Sequence, residues 1–154
     1  MSLAGAMYTL REFLYMPGAG YTARMQRKIL LADDDEFFVA ICRKFLIRAG
    51  FEVIEVRSGE NVAVCADRDK PDLLVLDIAM PKKDGLTVAK EIRSLPWGKD
   101  VPIIILTAKT LGDNDLAEMS TWAPTYYFIK GNERFDDLVT KIEEIFQERE
   151  AAAH

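Results

Sequence analysis

Two apolar runs in this chain end abruptly in acid. Ile29-Leu30-Leu31-Ala32 runs into Asp33-Asp34-Asp35, and Leu73-Leu74-Val75-Leu76 runs into Asp77. An unbroken apolar run, rather than an alternating one, is the pattern of a strand buried on both faces of a parallel sheet. An acid at its end then sits at the carboxyl edge of that sheet, where open α/β sheets bind their ligands. Crowded carboxylates repel, so they need a divalent cation or a shared proton. The cluster is therefore a candidate Mg²⁺ site, with one Asp free to act as a nucleophile toward phosphorus.

From Arg27 onward, strand and helix patterns alternate. Strands are expected at 28–33, 51–56, 72–77, 101–106 and 125–129, and helices at 36–48, 59–68, 85–94, 112–121 and 134–149. In the last helix, Phe135, Leu138, Val139, Ile142, Ile145 and Phe146 follow the spacing of one buried stripe, with Lys141, Glu143, Glu144 and Glu148 on the wet side. The first helix presents Phe38, Ile41, Phe45 and Ala49 and stops at Gly50. Ser58 is placed to cap the second. Five strand–helix repeats imply an α/β fold, a parallel sheet with helices on both faces.

The 154 residues fit one domain with a sizeable core, and 49% hydrophobic with 29% charged residues describes a globular chain. A net charge of −5 argues against a broad nucleic-acid-binding face. No apolar run approaches the roughly 20 residues of a membrane span. Cys42 and Cys65 have no metal-ligand spacing and read as small apolar helix residues, in keeping with a reduced, cytoplasmic setting. The single histidine, His154, is the last residue, which leaves the core without His-based triads or metal sites. Residues 1–24 end in the breaker cluster Pro17-Gly18-Ala19-Gly20 and are read as an N-terminal extension or a vector-derived segment. Residues 25–150 form the expected domain, and 151–154 read as a tag remnant.

The order of motifs resembles one family, the receiver domain of bacterial two-component response regulators. The matching stretches are Ile29 to Glu36, Pro71 to Leu86 with Asp77-Ile78-Ala79-Met80-Pro81 inside it, Val101 to Ala108, and Tyr127-Phe128-Ile129-Lys130. The resemblance spans about residues 27–149. It implies a flavodoxin-like doubly wound five-stranded parallel sheet in the order 2-1-3-4-5. It also implies an Asp77 phospho-acceptor that takes its phosphoryl group from a sensor histidine kinase or phosphotransfer protein. Mg²⁺ would be held by Asp33, Asp34, Asp77 and the backbone carbonyl of Ala79, with Asp35 facing solvent. Lys130 would pair with Asp77 and then with the phosphoryl group. Thr107 would donate to a phosphoryl oxygen, and Tyr127 would swing inward with it. The switched surface would be the face of helix 4, strand 5 and helix 5, which also offers a route to a homodimer. Direct nucleic-acid or membrane binding is not expected of such a domain, nor any chemistry beyond its own phosphorylation.

Three places depart from the family pattern. Gly131 stands where receivers commonly carry Pro after the strand-five Lys. A cis bond before a non-proline costs about 2.5–4 kcal/mol, so a trans bond is expected. Trp122-Ala123-Pro124-Thr125 lacks the usual Gly-Ala pair. Ala79 and Lys109 occupy the positions that tune phosphoryl loss, and together they suggest a long-lived phosphorylated state. Two other readings remain at this level. Asp33-Asp34-Asp35 also fits the nucleophile motif of a haloacid-dehalogenase-like phosphatase, and a pseudo-receiver would share the fold without the chemistry.

Overall fold

The computed structural model describes residues 26–108, 112–121 and 124–153. The readings of residues 1–24, Lys109, Trp122, Ala123 and His154 lie outside them. The elements run β1 (Lys28–Ala32), α1 (Glu36–Arg48), β2 (Glu52–Val56), α2 (Gly59–Asp69), β3 (Leu73–Asp77), α3 (Gly85–Ser94), a 3₁₀ turn (Pro96–Gly98), β4 (Ile103–Thr107), α4 (Asp113–Met119), β5 (Tyr126–Ile129) and α5 (Phe135–Ala152). The strands pair in parallel in the order β2-β1-β3-β4-β5. This is the doubly wound, flavodoxin-like sheet expected from the sequence. β4 starts two residues later than expected, after Pro102, whose missing N–H cannot donate to a ladder. α5 runs past the expected end at 149, because Ala151 and Ala152 are good helix formers.

β1, β3 and β4 are apolar along their length because both of their faces are covered. On one face Leu30, Leu74, Leu76, Ile103 and Ile105 meet Val62 and Ala66 of α2 and Val88 and Ile92 of α3. On the other, Ile29, Leu31, Val75, Ile104 and Leu106 meet α1 and α5. The α5 stripe is as expected, with Leu138, Ile142, Ile145 and Phe146 buried. The α1 stripe is not: its buried line is Val39, Cys42 and Leu46. Phe38 and Phe45 flank that line and pack on Phe135 of α5, with ring centroids 5.2 and 5.3 Å away. The small and branched residues fit flat against the strands, and the aromatic rings fill the wedge between the two helices. Cys42 lies in this core, and burial pushes its thiol up to about 12. Cys65 is half-buried.

Ser58 takes the N-cap position of α2, but its hydroxyl makes no capping bond. Trp97 is half-buried, and its indole N–H donates to Asp67. α1 stops where expected, with Gly50 in the left-handed region at φ 92. Gly85 has a different purpose. A Cβ there would lie 2.2 Å from the carbonyl oxygen of Asp77. The glycine lets the N-terminus of α3 close onto the end of β3, and so fixes the turn that carries Asp77. Gly85→Ala is expected to lower stability by about 1–3 kcal/mol, since backbone must shift. Urea denaturation checks this; an unchanged midpoint would mean that the turn relaxes freely.

Candidate functional site

β1 and β3 are adjacent and in register, with Ala32 opposite Leu76. Asp33 and Asp34 therefore leave β1 beside Asp77 at the end of β3. Carboxylate oxygens of Asp33, Asp34 and Asp77 lie within 4.8 Å of one another. Asp33 is fully buried, Asp77 nearly so, and Asp34 exposed. Asp33 Oδ1 accepts from the Asp35 N–H at 2.9 Å, which pins its carboxylate. Asp35 is exposed, as expected. It also does something the sequence reading left out: it caps α1, accepting from the N–H groups of Phe37 and Phe38 at 3.1 Å each. An Asp just before a helical apolar pattern was signal enough for that.

Lys130 follows β5 and reaches across the sheet edge. Its ammonium is 2.5 Å from Asp33 Oδ2 and 3.6 Å from Asp77 Oδ2. The sequence reading paired it with Asp77; in the structure its nearer partner is Asp33. The contact is one of charge rather than an aligned hydrogen bond. Asp33 is the more buried carboxylate, and a buried anion without a countercharge is costly, so the cation settles there. The ammonium also lies 4.4 Å from the ring centre of Phe38, a cation–π contact that the sequence did not reveal.

The Asp77 carboxyl is pushed up from 3.8 to about 6, mainly by burial and then by the charge of Asp33. The Lys130 ammonium and the backbone N–H of Ala79 pull the other way without cancelling it. Thr107 is buried at the end of β4, the strand beside β3. Tyr127 pairs with Ile105, two residues before Thr107, which puts it on the sheet face that carries Thr107. Tyr127 is 43% exposed, so the inward position is not the one seen. Tyr126 belongs to the opposite face and packs on the α1–α5 core. The peptide bond after Lys130 is trans, as expected for Gly131, which has φ 86.

A family model, the response regulator receiver domain, matches residues 29–143. The chain belongs to this family. The transcriptional regulatory protein RprY of Bacteroides fragilis is 36% identical over 120 residues, covering 78% of this chain and 49% of that protein. The alkaline phosphatase synthesis transcriptional regulatory protein PhoP of Bacillus subtilis is 42% identical over 85 residues, 55% of this chain and 35% of that one. The receiver thus spans half or less of these relatives' length. Among solved structures, the chemotaxis response regulator CheY4 of Vibrio cholerae superposes with a TM-score of 0.71 at 23% identity, over 78% of this chain and 98% of that one. The receiver domain of a Pseudomonas aeruginosa sensor histidine kinase, with magnesium coordinated in its active-site cleft, gives 0.70 at 27% identity, over 77% and 96%. Membership overturns the phosphatase alternative, which placed the nucleophile on β1. This is a signalling domain of two-component systems. Among the described residues, no helix is long and apolar enough to cross a membrane.

Proposed function

We propose that Asp77 is the phospho-acceptor of this receiver, with the residues around it in the following roles. The supporting observation is the meeting of three carboxylates and one ammonium at the carboxyl edge of the sheet. A carboxylate oxygen of Asp77 bonds to phosphorus as the bond from phosphorus to the donor's imidazole nitrogen breaks. The electron pair leaves on that nitrogen. With its carboxyl near 6, Asp77 is ionised at neutral pH and remains a usable nucleophile.

Asp33, Asp34 and Asp77, with the Ala79 carbonyl, are the ligands for Mg²⁺, and an all-oxygen set on a crowded anionic edge suits that ion. Bound there, the ion supplies countercharge to the anionic donor and to the phosphoryl oxygens. Lys130 swings between Asp33 and the phosphoryl group, and Thr107 donates its hydroxyl to a phosphoryl oxygen. Tyr127 follows Thr107 inward and changes the surface of α4, β5 and α5, where an effector or a second copy docks. The donor is a sensor histidine kinase or phosphotransfer protein, and the setting is cytoplasmic. Ala79 and Lys109 favour a long-lived phosphorylated state, which decay of the label within minutes would refute.

The decisive experiment is incubation with acetyl phosphate, with and without Mg²⁺, for the parent chain and Asp77→Asn. A gain of one phosphoryl mass that requires both Mg²⁺ and Asp77 is expected. No gain by a folded chain that binds Mg²⁺ would make it a receiver fold used for binding alone.

A further inference from the structure

We infer that Glu133 is a positioning residue for Lys130, and that it acts with Tyr126 as a clamp on the turn that begins at Lys130-Gly131. This rests on the reading of Lys130 given under the proposed function.

β5 is an edge strand. The Lys130 N–H turns inward and donates to the Thr107 carbonyl at 2.7 Å. Alternation along a strand then points the Ile129 N–H away from the sheet, toward the open edge. Glu133 occupies that place. Its Oε2 accepts from the Ile129 N–H at 2.8 Å, and its Oε1 accepts from the Tyr126 hydroxyl at 2.8 Å. The Glu133 N–H in turn donates to the Ile129 carbonyl at 3.3 Å, as does that of Asn132. Both backbone groups of Ile129 are thus held by Glu133, beyond the turn. The loop Lys130-Gly131-Asn132 is closed into a ring with Lys130 at its start.

The turn itself supplies little rigidity. Gly131 sits at φ 86, and a Cβ placed there would meet nothing within 4 Å. A glycine in open space confers freedom, whereas a proline would have fixed φ. The restraint has to come from outside the turn, and the Glu133 carboxylate supplies it. Charge-assisted bonds to a backbone N–H and a phenol are among the stronger ones available. Lys130 needs such restraint because its ammonium must serve Asp33 before the reaction and the phosphoryl group during it. A misplacement of about 1 Å is enough to cost a large part of a rate.

The test uses phosphorylation by acetyl phosphate in saturating Mg²⁺. Glu133→Ala is expected to lower the rate about tenfold, while Mg²⁺ affinity stays within about twofold of the parent. Glu133→Gln keeps an acceptor for Ile129 and a hydrogen-bonding partner for Tyr126, and is expected to restore most of the rate. In a Lys130→Ala background, Glu133→Ala is expected to cost nothing further, the non-additivity of residues acting through one group. An unchanged rate in Glu133→Ala overturns the inference. So does an equal loss when Lys130 is already alanine, since Glu133 would then act on the fold as a whole. A parent chain that takes no phosphoryl group refutes the proposed function instead, and is recognised before any variant is compared.

Discussion

Lys130→Ala is expected to weaken the fold and tighten its hold on Mg²⁺ at the same time. The Lys130 ammonium sits between Asp33 and Asp77, both buried, at 2.5 and 3.6 Å. Removing it leaves two close carboxylates facing each other. Breaking a buried pair in this way costs about 3 kcal/mol, visible as a lower denaturation midpoint in metal-free buffer. The same repulsion favours a cation, and Asp33 Oδ2 is no longer occupied by the lysine. Mg²⁺ should therefore bind several-fold more tightly by calorimetry and return most of the lost stability, because it binds the folded form alone. Phosphorylation from acetyl phosphate should nevertheless fall about 100-fold, the usual scale for losing one preorganised countercharge. Metal-free stability equal to the parent's would show that the Asp33 pair carries no folding energy. A variant that binds Mg²⁺ more weakly would show that Lys130 helps to build the metal site rather than competing for it.

The contact of Lys130 with Asp33 was not legible in the sequence, although the meeting of the carboxylates at the sheet edge was. Leu73-Leu74-Val75-Leu76-Asp77 declares both a buried strand and where its acid lies, because apolarity persists to the last residue before the charge. The same reasoning placed Asp33, whereas Thr107 was singled out by the resemblance to receiver domains. What a strand end does not declare is how far a lysine reaches. Lys130 crosses to Asp33 because Asp33 is the more deeply buried anion, a fact of three-dimensional packing. The α1 face was misread for a related reason. Residues 37–42 alternate too little between apolar and polar to define a single stripe, so only contact with β1, β3 and α5 separates the Val39-Cys42-Leu46 line from the flanking aromatics. Tyr126 and Tyr127 are identical neighbours, and the pairing of Ile105 with Tyr127 assigns their faces. The Glu133 clamp has no local signature at all. It exists because a chain reversal brings a carboxylate back to an edge-strand N–H three residues after leaving Lys130.

Asp77→Asn should be more stable than the parent at neutral pH and no more stable in acid. The Asp77 carboxyl is raised from 3.8 to about 6 by burial first and the Asp33 charge second. The folded chain therefore holds this proton more tightly than the unfolded chain does. Between the two values the unfolded form has lost the proton and the folded form has kept it, so stability falls as pH rises through this window. Below it both forms are protonated, and above it both are ionised. Two pKa units correspond to about 3 kcal/mol, so asparagine, which carries no charge, should gain on the order of 2–3 kcal/mol over the parent at neutral pH. The gain should shrink through about pH 5 and vanish near pH 4. Urea denaturation of both chains across that range measures it. Saturating Mg²⁺ at neutral pH should narrow the gap, because it stabilises the parent, with three carboxylates, more than the variant, with two. A stability difference that does not change with pH would mean that the Asp77 charge is not what the fold works against, and that the carboxylate cluster is stabilised by groups other than those that surround it here.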